Sequence, residues 1–77
     1  MKNLVKGDII KKVRSNKNPL CESENYELIY EVVRVNRTTY GLKCIEGFMK
    51  GSGCKLVKDF KDKYVDEYGT VTEWIIL

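Results

Sequence analysis

The chain has 77 residues, of which 43% are hydrophobic and 32% charged, and fourteen Lys and Arg against eleven Asp and Glu leave a net charge of +3. No stretch approaches the roughly 20 apolar residues that cross a bilayer, and so short a chain buries only about 60% of the surface exposed when unfolded, so residues 1–77 read as a single small domain with little room to enclose a substrate. The absence of histidine removes the side chain most used as a general base near neutral pH and as a metal ligand, so the composition points to a binding module, with no enzymatic activity and no cofactor expected.

Val5, Lys6, Gly7 and Asp8 read as a turn leading into a first strand at Ile9, Ile10, Lys11, Lys12 and Val13, since Gly and Asp tolerate turn dihedrals and the following residues favour extended backbone. Ser15, Asn16, Lys17, Asn18 and Pro19 form a breaker cluster. Polar residues continue it to Asn25, predicting a mobile loop at about residues 15–25.

Tyr26 to Asn36 is the clearest strand: Tyr26, Leu28, Tyr30 and Val32 alternate with Glu27, Ile29 and Glu31. After Val32 the apolar positions become Val33 and Val35, a one-residue slip of the kind a β-bulge produces where a small barrel bends. Arg37 and Thr38 form a hairpin connection to a third strand, Thr39 to Glu46. There Tyr40, Leu42 and Cys44 share one face while Gly41 and Lys43 lie on the other with Ile45. Gly41 marks a candidate second bend or bulge.

Gly47 to Cys54 reads as a loop with three glycines, Gly47, Gly51 and Gly53. Leu56, Phe60, Tyr64 and Tyr68 are spaced four apart, flanked by Val57 and Val65, and predict an amphipathic helix over 55–68 ended by Gly69. A short strand at Lys55 to Val57 followed by irregular structure is the competing reading. Thr70 to Leu77, with Trp74, Ile75 and Ile76, closes the chain as a strand. The expected fold is mostly β with one helix, in the order β-β-β-α-β.

The Lys6, Gly7, Asp8 entry into a first strand, the long bent second strand, the tight hairpin and the hydrophobic last strand together resemble the SH3-like small β-barrels, including the KOW and Tudor groups. The resemblance covers Val5 to Val13, Tyr26 to Glu46 and Gly69 to Leu77, about half the chain. It implies a barrel that works through its exterior. The Lys-, Asn-, Ile- and Tyr-heavy composition also resembles accessory proteins of phages and mobile elements, which implies a stoichiometric binder or inhibitor.

Charge falls in blocks: +5 over residues 1–20, −4 over 21–31, +5 over 32–58 and −3 over 59–77. Lys11, Lys12 and Arg14 on the first strand, with Arg34, Arg37 and Lys43 on the central hairpin, are candidate phosphate contacts. Tyr26, Tyr30 or Tyr40 would then stack on bases. Mixed blocks favour a protein partner over nucleic acid, because nucleic-acid readers of this size carry a more uniform basic surface. Phe48 and Met49, beside Lys50 in the glycine-rich loop, are either a plug under the barrel or a presented contact, and Trp74 is either a core anchor or a hot spot. These four are the candidate partner-binding residues. Gly47, Gly51 and Gly53 with Lys50 and Lys55 superficially resemble a phosphate-cradling loop without matching its fingerprint, so a flexible connection is the ordinary explanation.

Cys21, Cys44 and Cys54 are separated by 23 and 10 residues, which matches neither structural zinc spacing nor a secreted disulfide framework. Apolar thiols in a reducing cytoplasm are the economical reading, with a Cys44 to Cys54 bridge left open. The beginning of the chain has no signal-peptide pattern. A monomer or weak homodimer is expected, since small barrels leave strand edges open.

Overall fold

A computed structural model describes residues 3–18, 20 and 25–77. The described chain is all β, a strongly curled half-barrel of six antiparallel strands. They are β1 (Ile9–Ser15), β2 (Tyr26–Val35), β3 (Thr39–Glu46), β4 (Gly53–Val57), β5 (Lys63–Val65) and β6 (Val71–Ile76). The sheet order is β4-β3-β2-β1-β6-β5, so β1 sits between β2 and β6 while β4 and β5 are the edges.

Strand alternation sorts side chains onto an inner and an outer face. Ile10, Leu28, Tyr30, Val32, Tyr40, Leu42 and Cys44 fill the inner face with Leu4 from the N-terminal segment, and Tyr26, Leu56, Phe60, Trp74 and Ile76 pack partly buried against them. The predicted phase of Tyr26 to Val32 and of Tyr40 to Cys44 is the observed one.

The slip after Val32 is a β-bulge. Val32 stands opposite Leu42 and Arg34 opposite Gly41, leaving Val33 as the extra residue. Gly41 lies across from this same bulge, where an added Cβ would come within 3.1 Å of the Arg34 Cβ, so the close approach of the two strands accounts for the glycine. A second irregularity between Ile29 and Tyr30 leaves Ile45 unpaired on β3. The first turn braces the bend: Val32 N–H donates to the Asp8 carbonyl at 2.9 Å, and Gly7 N–H, at φ 99°, donates to the Val32 carbonyl at 2.8 Å. Beyond the bulge Val33 and Val35 are 40% and 45% exposed.

The predicted helix over 55–68, and with it the β-β-β-α-β order, is overturned. Residues Gly53–Val57 pair with β3, placing Leu56 opposite Tyr40 and Cys54 opposite Leu42. Lys63–Val65 pair with β6, Tyr64 opposite Thr72. Only Leu56 and Phe60 of the four-residue repeat pack on the core; Tyr64 and Tyr68 are exposed. An isolated helix of this length is marginal in water, whereas the free margins of β3 and β6 offer unpaired backbone groups that an extended segment satisfies. The competing reading holds for its strand, which starts at Gly53 and so takes Gly53 and Cys54 out of the predicted loop, but the irregular structure it expects after Val57 contains β5. Gly69 does adopt positive φ, 81°, but inside a turn in which Asp66 Oδ1 accepts from the Tyr68 and Thr70 N–H groups.

The predicted mobile loop at 15–25 lies partly outside the described residues, which omit 19 and 21–24. Its ends are tied down: Asn16 N–H donates to Asn25 Oδ1 at 2.6 Å, and buried Asn16 Nδ2 donates to Tyr68 O and Thr70 Oγ1. Among the described residues no helix is long and apolar enough to cross a membrane.

Candidate functional site

The loop from Gly47 to Ser52 is a built turn. Gly51 N–H donates to the Cys44 carbonyl at 2.8 Å, Ser52 N–H to Met49 O at 3.0 Å, and Ser52 Oγ to the same oxygen at 2.6 Å. Gly47 holds φ 116°, and an added Cβ would fall 2.6 Å from Leu28 Cδ2, so the loop lies directly against the core. Phe48 is 72% exposed, and its ring meets the Tyr26 ring edge-on at 5.1 Å. Met49 is 43% exposed and Lys50 is exposed.

Trp74 reaches the same inner face from β6. It is half-buried, 6.0 Å from the Tyr30 ring and 6.2 Å from Phe60, with Lys12 Nζ 5.5 Å from its centroid. Trp74, Lys12 and Leu28 stand side by side on β6, β1 and β2, and the loop begins against Leu28. The four candidate partner residues therefore belong to the two ends of one row across the half-barrel. Trp74 is both a core contact and partly accessible.

The cations proposed for nucleic acid do not share a surface. Lys12 and Arg14 alternate with Ile10 on the inner face, whereas Lys11 lies on the outer face and pairs with Glu27 Oε2 at 3.2 Å. Arg14 Nη1 donates to the Tyr26 hydroxyl at 3.2 Å, and Nη2 lies 3.9 Å from Asp66 Oδ2. Arg34 and Lys43 are exposed on the outer face, and Arg37 is exposed in the β2–β3 hairpin. Tyr40 is only 2% exposed, and its hydroxyl accepts the Leu4 N–H, so its ring is closed to a base. Tyr30 is buried as well.

Cys44 and Cys54 are free thiols, the first buried and the second exposed, and Cys44 Sγ donates to the Glu46 carbonyl at 3.3 Å. Although Cys54 as a residue is exposed, partial desolvation of its thiol pushes the pKa above the ordinary value, opposed by the Lys12 ammonium and by a hydrogen bond from Tyr30. Burial, reinforced by the neighbouring Cys54, pushes Tyr30 up to about 12. The described residues hold no group of three or more Cys, Asp or Glu placed to bind a metal. The inward position of Lys12 was the main feature missed from sequence, although the alternation Ile10, Lys12, Arg14 carried it: cations on a core-facing parity signal a face that is open to water. Comparison with protein-family models, curated proteins and solved structures finds no match to this chain.

Proposed function

We propose that this chain is a non-enzymatic, SH3-like binding module that engages a protein through the inner-face row ending in Phe48, Met49 and Lys50 on one side and Trp74 on the other. It acts as an accessory or inhibitory factor of the phage or mobile-element type. The observation that carries the reading is Phe48, held edge-on to Tyr26 by a hydrogen-bonded turn while 72% exposed. A large apolar side chain fixed in water gains free energy when a partner covers it, and a rigid presenting loop lowers the ordering cost of binding.

Lys12, Arg14 and Lys50 give this side a positive character, so the fitting partner surface is apolar at its centre and acidic at its rim. Of the cations weighed as phosphate contacts, Lys12 and Arg14 lie on the inner face while Lys11, Arg34 and Lys43 lie on the outer one, so the six do not form one basic surface, and this supports the protein reading. The test compares capture from a host-cell extract by the wild-type chain, Phe48→Ala and Met49→Ala. A specific captured protein that is lost with Phe48→Ala, at an unchanged melting temperature, supports the proposal. Equal capture by all three overturns it.

A further inference from the structure

The outer face at the bulge carries a second, separate feature. Arg34, Gly41 and Lys55 stand side by side on β2, β3 and β4, and Gly53 lies opposite Lys43 two residues along. Bare backbone replaces side chains at Gly41 and Gly53, and a cleft of about 520 Å³ opens there, with Val33, Arg34, Asn36 and Lys55 around it. That volume falls within the span of small-ligand sites, about 300 to 1,000 Å³, and exceeds what a bare anion needs.

The fold accounts for Gly41, which is pressed against Arg34, but not for Gly53. Gly53 does not hold positive φ, and an added Cβ would meet only the Leu42 carbonyl oxygen at 3.5 Å, an ordinary contact. A strand glycine weakens its strand by about 0.5 to 1 kcal/mol and is at home where another group approaches the backbone closely. Beside it, Arg34 and Lys55 form no ion pair with any described residue. Asn36 Nδ2 is committed to Thr39 Oγ1, while its Oδ1 accepts from no described residue.

We infer that this cleft binds a nucleoside phosphate, with Arg34 and Lys55 on the phosphate and the base lying over Gly53. The planar Arg34 fork matches phosphate oxygens, the bare backbone at Gly53 supplies a flat floor for a ring, and Asn36 Oδ1 offers an acceptor to an exocyclic amino group. A free mononucleotide and a nucleotide within a single strand present the same chemistry. The site is on the face opposite to Phe48 and Trp74, so it stands or falls independently of the protein-partner reading.

The test is an amide chemical-shift titration of the full chain at low ionic strength with adenosine monophosphate, adenosine, inorganic phosphate and single-stranded oligoadenylate. Saturable shifts centred on Gly41, Gly53 and Lys55 are expected with the monophosphate, and binding of adenosine or phosphate alone should be at least about tenfold weaker. Gly53→Val fills the cleft with a good strand former, and it should cut affinity about tenfold or more without lowering the melting temperature; Arg34→Gln should cut affinity similarly. Oligoadenylate binding tighter than the monophosphate at the same amides identifies a strand as the source, and equal affinity identifies the free nucleotide. The inference is overturned if neither nucleotide form shifts these amides, if inorganic phosphate binds as well as the monophosphate, or if folded Gly53→Val binds like wild type. Should Gly53→Val not fold, wild-type affinity in Arg34→Gln, whose side chain is exposed, overturns it equally.

Discussion

The Tyr40 hydroxyl on β3 accepts a hydrogen bond at 3.1 Å from the backbone N–H of Leu4, 36 residues away, and both residues are buried. This bond fastens the N-terminal segment over the inner face. Tyr40→Phe keeps the ring packing but strands the Leu4 N–H, so we expect a loss of about 1 to 2 kcal/mol, read as a lower urea midpoint at unchanged m-value. An unchanged midpoint would show that the N–H finds another partner.

Gly47 and Gly51 both hold positive φ in one loop but differ in surroundings. Gly51→Ala meets open space and should cost about 1 to 2 kcal/mol from backbone strain alone. Gly47→Ala adds a collision with Leu28 and the Glu27 carbonyl, and about 3 kcal/mol is expected. Chemical denaturation of the pair checks the difference, and equal losses would contradict the docking of the loop on the core.

Stability at high pH should follow Tyr30. Its pKa rises to about 12 in the folded chain from an ordinary 10.0 because burial disfavours the phenolate. The unfolded chain therefore releases this proton first: the contribution is fully present below pH 10, falls as pH climbs above that, and is lost through pH 12. Tyr30→Phe should show a shallower decline over that window. Identical pH slopes in the two proteins would exclude Tyr30 as the source.

Thiol reactivity should separate the two inner-face cysteines. In the native state an alkylating reagent modifies exposed Cys54 and spares buried Cys44, as peptide mass mapping would report. Lys12→Gln removes a charge that favours the Cys54 thiolate, so alkylation near neutral pH should slow further. Faster alkylation in that variant would contradict the placement of Lys12.

A core position on the inner face and the presented loop residue differ in their expected cost. Leu42→Ala empties a fully buried position and should cost about 3 kcal/mol, whereas Phe48→Ala loses one edge contact with Tyr26 and should cost about 0.5 to 1 kcal/mol. Thermal melts test this ranking. A loss at Phe48 as large as that at Leu42 would make Phe48 a structural plug rather than a presented contact.

Alternation alone determined the inner-facing sets Tyr26 to Val32 and Tyr40 to Cys44, and the broken phase at Val33 placed the bulge, because a period of two is a local property that one misplaced residue visibly disrupts. The tertiary structure decided residues 55–68. Their spacing satisfies a helix as well as two short strands, and what separated the two was the unpaired margins of β3 and β6, which lie far away in the sequence. The same non-local pairing set Trp74 beside Lys12 and brought Arg34 and Gly53 to one cleft. Parity within each strand was legible, but which strands lie next to one another depends on contacts between distant segments that no short window of residues contains.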